Sequence, residues 1–111
     1  MRIRTEISSS YINDRDHKMA ELANALAHPL RVALVRYLSE KNSGQGVDNV
    51  TCNKDLVQMF DYSQSTISQH IKILRRCGLF LVQAKDKFNF YSLDRDLLNQ
   101  YSEMMQNLSR K

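Results

Sequence analysis

Apolar residues recur at helical spacing early in the chain. Ile12, Met19, Leu22, Ala23 and Leu26 predict an amphipathic helix over residues 11–27, behind a flexible polar tail of residues 1–10. Pro29 ends that helix and suits the first position of the next, where a missing N–H costs nothing. Leu30, Ala33, Leu34, Tyr37 and Leu38 then give an apolar stripe up to Lys41. Residues 42–49, NSGQGVDN, hold two of the three glycines and predict a mobile loop. A short helix over 52–60 follows, with Leu56, Met59 and Phe60 inward. Ser63 is a good N-cap and Gly78 a good stop, so both ends of a helix over 64–77 are marked. Only Asp61 and Tyr62 separate these two helices, the outline of a helix-turn-helix. After Gly78 the period shortens: LFLVQA and FNFYSL flank Lys85, Asp86 and Lys87 and predict a two-stranded hairpin. Asp94 can cap a last helix, with Leu97, Tyr101, Met104 and Leu108 on one face and Leu98 and Met105 beside them.

The pattern predicts a mainly α fold of about five helices with a small β-hairpin wing, a winged helix-turn-helix in one domain over residues 11–111. A length of 111 residues leaves room for one core of this size. No apolar run approaches the ~20 residues that span a bilayer, and the opening MRIRTEISSSYINDRD lacks an apolar signal stretch. A cytoplasmic protein with two reduced thiols and no membrane partner is expected.

Charge sharpens the picture once it is located. Between residues 63 and 91 lie Lys72, Arg75, Arg76, Lys85 and Lys87 against Asp86 alone, 5 − 1 = +4, which equals the net charge of the whole chain. The excess therefore sits on one contiguous quarter, the pattern of a polyanion-binding face. On a wheel of about 100° per residue, Ile67, Ile71 and Leu74 share one side of the 64–77 helix. Ser65, Gln69, Lys72 and Arg76 fall opposite, with Ser68 on the flank and no acidic residue among them. Small polar groups near the N-terminal end and cations near the C-terminal end suit a helix that enters the major groove of double-stranded DNA and meets phosphates behind it.

From Leu26 to Leu93, 68 of the 111 residues, the chain resembles the ArsR/SmtB group of winged-helix transcriptional regulators. ALAHPLRVALVRYL is similar to the family's opening pattern, and SQSTISQHIKILRRCGLF, the more specific stretch, to its recognition-helix signature. The resemblance implies a homodimeric repressor released from its operator by a small effector, with the outer helices pairing the subunits. Carried over by position, it implies base contacts from Gln64, Ser65, Ser68 and Gln69 and backbone contacts from Lys72 and Arg76. Asp61 stands where the family's turn has glycine, tolerable because Asp visits left-handed conformations. The usual wing-tip glycine is also missing, and Lys85 and Lys87 are left as phosphate contacts. Apolar excess on the end helices marks Ile12, Met19, Leu22, Leu97, Leu98, Tyr101, Met104, Met105 and Leu108 as the dimer interface.

The effector sites of the family do not carry over. Its Cys-x-Cys cluster is reduced to Cys52, with Lys54 and Val57 where further thiols would stand, and residues 94–111 hold no histidine. One thiolate beside a lysine is a poor metal site, so no metal and no cofactor is expected, and the effector is not written in the sequence. Cys52, near a helix N-terminus, is a candidate thiol sensor. Cys77 reads as a small apolar residue closing its helix, and His17, His28 and His70, which share no helical ligand spacing, read as packed or hydrogen-bonded. The cysteines are expected on the order of 20 Å apart, beyond the reach of a disulfide. The rival to a DNA-binding protein is a protein-interaction module that uses Phe88, Phe90 and Tyr91 of the hairpin. An enzyme is not expected, since no activated nucleophile, carboxylate pair or glycine-rich phosphate loop can be assembled.

Overall fold

The computed structural model describes residues 11–41 and 51–110, with the backbone alone at Thr51 and Cys52. The tail of residues 1–10 and the loop of residues 42–49 lie outside the described residues. Helix α1, Asp14–Ala25, begins later than the apolar spacing predicts, because Asn13 and Asp16 form a capping box. The Asp16 N–H donates to Asn13 Oδ1 at 2.9 Å and the Asn13 N–H to Asp16 Oδ2 at 3.0 Å, satisfying two donors that a helix start leaves open. Ile12 therefore lies ahead of this helix, exposed. Helix α2, Pro29–Lys41, starts at the proline as expected and is capped by His28, whose Nδ1 accepts the Leu30 N–H at 3.0 Å.

Strand β1, Thr51–Cys52, pairs antiparallel with β3 and replaces the predicted helical start at Cys52. Helix α3, Asn53–Met59, buries Leu56 completely and leaves Met59 59% exposed, against the expected inward position. Helix α4, Gln64–Arg76, has Ser63 as N-cap and Gly78 beyond its end at φ +93, a left-handed value that glycine adopts freely. Strands β2, Phe80–Lys85, and β3, Phe88–Leu93, form the hairpin, in register from Phe80 opposite Leu93 to Lys85 opposite Phe88. The sheet is thus three-stranded, β1-β3-β2, where the sequence pattern predicts two strands. Two residues are too few to show a period of two, so β1 left no signal.

Helix α5, Arg95–Ser109, is capped by Asp94, which accepts the Leu97 N–H at 3.1 Å. Arg95 ties its start to α2 through the Ser39 carbonyl at 2.9 Å. The fully buried side chains Leu22, Leu34, Leu38, Leu56, Ile67, Leu74 and Leu79 come from α1 to α4 and the entry to β2. Helix α5 supplies none of its own, and Leu97, Leu98, Tyr101 and Met104 lie half-buried over the edge of that core. Leu22, predicted at the dimer interface, is 0% exposed within the protomer, so it has no surface left to offer a second copy.

Candidate nucleic-acid interface

The candidate surface is built on α4, and both of its ends are fixed locally. Ser63 Oγ accepts the Thr66 N–H at 3.2 Å, lies 3.3 Å from Ser65 Oγ and donates to Thr66 Oγ1 at 3.0 Å, so the first turn is pinned by hydroxyls. Buried Ile67, Ile71 and Leu74 anchor one face, as the wheel predicts. That orientation leaves Gln64, Ser65, Ser68, Gln69, Lys72 and Arg76 exposed on the others. Elements outside the motif hold the helix as well. Lys18 of α1 donates to the Cys77 carbonyl at 3.3 Å, and Arg31 of α2 reaches His70 at 3.1 Å.

Among the described residues the ion pairs are Lys18 with Glu21 and Arg36 with Glu40. Lys72, Arg76, Lys85 and Lys87 take part in neither and are exposed. Lys72, Arg75 and Arg76 line one cleft of about 290 Å³. Arg75 is absent from the contact set read from the family resemblance, although the charge count that located the basic window already included it.

The wing is closed by a two-residue turn, Asp86 and Lys87. Asp86 has φ +58 and is the one non-glycine residue with positive φ among the described residues. Positive φ at the first central residue alone is the sign pattern of a II′ turn, whose usual occupant there is glycine. Asp61, expected to take up the left-handed conformation in place of a glycine, therefore does not do so. The Asn89 N–H donates to Asn53 Oδ1 at 3.2 Å, which together with β1 moors the wing to the start of α3. Asn53 carried no sequence signal for this role, because its partner lies 36 residues away. A second cavity of about 380 Å³ lies between Lys54, Gln58, Gln64 and Phe88. Within the hairpin Phe88 is 40% exposed and Tyr91 only 5%, so the aromatic trio of the rival reading offers no common surface.

Cys77 is buried, its Sγ donating to the Leu74 carbonyl at 3.3 Å. Burial, with Glu21 adding to it, pushes its thiol above the ordinary value. The side chain of Cys52 lies outside the described residues; its backbone pairs with Phe90. Although they share no helical spacing, His28 and His70 meet in space, ring centroids 4.5 Å apart. Among the described residues no three His, Cys, Asp or Glu side chains gather as a metal site, and no helix is long and apolar enough to cross a membrane.

The sequence model of the bacterial regulatory protein arsR family matches residues 28–80. An uncharacterized HTH-type transcriptional regulator of Methanocaldococcus jannaschii, MJ1325, is 24% identical over 95 residues, 86% of this chain and 99% of that one. The arsenical resistance operon repressor of Bacillus subtilis is 28% identical over 82 residues, 74% of this chain and 71% of that one. Among solved structures, an ArsR-like transcriptional regulator from Rhodococcus sp. RHA1 superposes with a TM-score of 0.68 at 18% identity, covering 84% of this chain and 80% of the other. The matched stretch contains the whole helix-turn-helix, from the cap of α2 to the first residue of the wing, and together with these relatives it supports a winged-helix, DNA-binding transcriptional regulator of the ArsR type.

Proposed function

We propose that the chain acts in the cytoplasm as a homodimeric repressor that reads operator bases with Gln64, Ser65, Ser68 and Gln69 and grips the flanking phosphates with Lys72, Arg76, Lys85 and Lys87. The observation that carries this reading is the outer face of α4, where polar groups precede cations and no carboxylate intervenes, directly opposite its buried face. The amides and hydroxyls can pair with base edges, whereas the ammonium and guanidinium groups gain most from phosphate. Dimerisation is supported by apolar surface on the end elements: Ile12 is 43% exposed, Met105 47% and Leu108 68%. Met19, Leu97, Leu98, Tyr101 and Met104, each half-buried, continue that surface beside them. A two-fold axis through α1 and α5 would place the recognition helices about one DNA turn, ~34 Å, apart. The test is selection of genomic fragments by the purified protein, followed by sedimentation of the protein free and bound. Fragments sharing a two-fold symmetric site, bound by two chains, are the expected result, and binding that shows no sequence preference would refute the reading.

A further inference from the structure

Arg31 differs from the cations of the DNA-facing surface in having its guanidinium turned into the protein. Nε donates to the Ala25 carbonyl at 2.8 Å and Nη2 to the Asn24 carbonyl at 3.2 Å, which also accepts the Ala27 N–H, at the end of α1 where a cation is favoured. Nη1 lies 3.1 Å from His70 Nδ1. A guanidinium has donors only, so Nδ1 accepts and the His70 proton sits on Nε2. His70 follows Gln69 directly on α4, which makes this hydrogen bond a strut between the end of α1 and the middle of the reading helix.

The surroundings disfavour a second proton on that ring. The His28 ring lies tilted against it and uses its own Nδ1 to accept the Leu30 N–H. Burial first, then His28, then Arg31 hold His70 below the ordinary histidine range. No charged side chain of α3 (Lys54, Asp55) or of β2 (Lys85) acts on it, and Lys72 lies on nearly the opposite side of α4. A histidine whose folded pKa is lowered contributes stability above its unfolded value, 6.5, and that contribution is lost as pH falls below it.

We propose that Arg31 and His70 are positioning residues for DNA recognition: the neutral ring takes the guanidinium's hydrogen bond and fixes the pose of α4 against α1, and a doubly protonated ring, with two donors, breaks that bond and weakens operator binding in mild acid. The inference rests on α4 being the reading helix. Its sign is diagnostic, because acid adds positive charge to the chain and by itself strengthens binding to a polyanion.

The probe is the duplex that the wild-type protein selects near neutral pH from a random library of about 20 base pairs, room for two half-sites one turn apart. Wild type is expected to lose affinity for it several-fold, and less than tenfold, between about pH 7.5 and about pH 5.5 at constant salt, because a ring whose pKa lies below 6.5 is only partly doubly protonated at the acid end. His70→Gln keeps an acceptor for Arg31 and cannot titrate, so its affinity is expected to show no acid loss. His28→Asn keeps a capping side chain and is expected to retain the loss. Arg31→Lys is expected to bind about tenfold more weakly at neutral pH with an unchanged salt slope, since no phosphate contact is removed. A flat or rising wild-type profile overturns the inference, as does an acid loss that persists in His70→Gln or vanishes in His28→Asn, or a folded Arg31→Lys protein that binds as wild type does. Should Arg31→Lys fail to fold, the wild-type and His70→Gln profiles decide the question alone. Recovery of no duplex overturns the DNA reading together with this inference, whereas a selected duplex with a flat profile overturns this inference only.

Discussion

Replacing Lys72 by alanine separates phosphate contacts from base contacts with a single measured slope. Lys72 is exposed on α4 and belongs to no ion pair among the described residues, so its loss removes a charge and leaves the fold's interactions in place. If Lys72, Arg76, Lys85 and Lys87 each meet a phosphate in both subunits of a dimer, eight contacts give log K against log salt a slope near −7, at about −0.9 per contact. Lys72→Ala removes two of the eight and brings the slope to about −5. Between about 50 and 200 mM salt, wild type then loses about tenfold more affinity than the variant does. Gln69→Ala, one turn earlier on the same exposed side, is expected to keep the wild-type slope and to relax preference at one base position by roughly 1–3 kcal/mol. Fluorescence anisotropy with a selected duplex and a scrambled one, titrated at several salt concentrations, reads both quantities. A Lys72→Ala slope equal to that of wild type, or equal losses on both duplexes from both variants, would refute the assignment of roles along α4. A wild-type slope nearer −9 would bring Arg75, which shares the Lys72 and Arg76 cleft, into the phosphate set.

Asp86→Gly removes a side chain from a left-handed position and is expected to stabilise the protein by up to about 1 kcal/mol, seen as a higher melting temperature; an unchanged or lower one would mean that the turn carries no strain. Leu22→Ala, deep in the core, is expected to cost about 2–5 kcal/mol in denaturant unfolding of the protomer. Paired Met105→Asp and Leu108→Asp changes on the exposed face of α5 are expected instead to shift sedimentation toward monomers while the far-ultraviolet dichroism is kept, and a stable dimer after them would exclude that face. Stoichiometric zinc or arsenite is expected not to release the protein from its selected duplex, since Cys52 lacks companion thiols and Cys77 is buried with its thiol pushed up. Release by either reagent that disappears in Cys52→Ser would show that one thiol suffices.

Local signals made most of the fold legible. The Ser63 cap and Gly78 stop bracket α4 to within a residue, and Pro29 and Asp94 mark the starts of α2 and α5, because each acts through a backbone requirement at its own position. The start of α1 was misplaced because Asn13 and Asp16 form a capping box inside a run of apolar spacing that continues back to Ile12. At Met59, helical spacing gave the wrong side since α3 ends there, two turns being too short for periodicity to settle a face.

The contacts that orient the proposed reading surface depend on residues distant in sequence, and this is why they were hidden. The outer face of α4 could be read from spacing alone, but how that face is aimed depends on Lys18 at the Cys77 carbonyl, 59 residues away, and on Arg31 at His70, 39 residues away. Asn53 moors the wing from a similar distance. In the sequence each is an ordinary polar residue with no periodic partner, so its role appears only once the helices are packed. The same packing decides what Leu22 does: helical spacing placed it on an apolar stripe, but only the fold shows that this part of the stripe faces the protomer's own core. Base-reading residues can change with the operator while such struts must persist with the fold. Substitutions at Gln64, Ser65, Ser68 or Gln69 should therefore redirect binding to other sequences, whereas substitutions at Lys18, Arg31 or Asn53 should weaken binding to all of them by loosening the element that presents the readers.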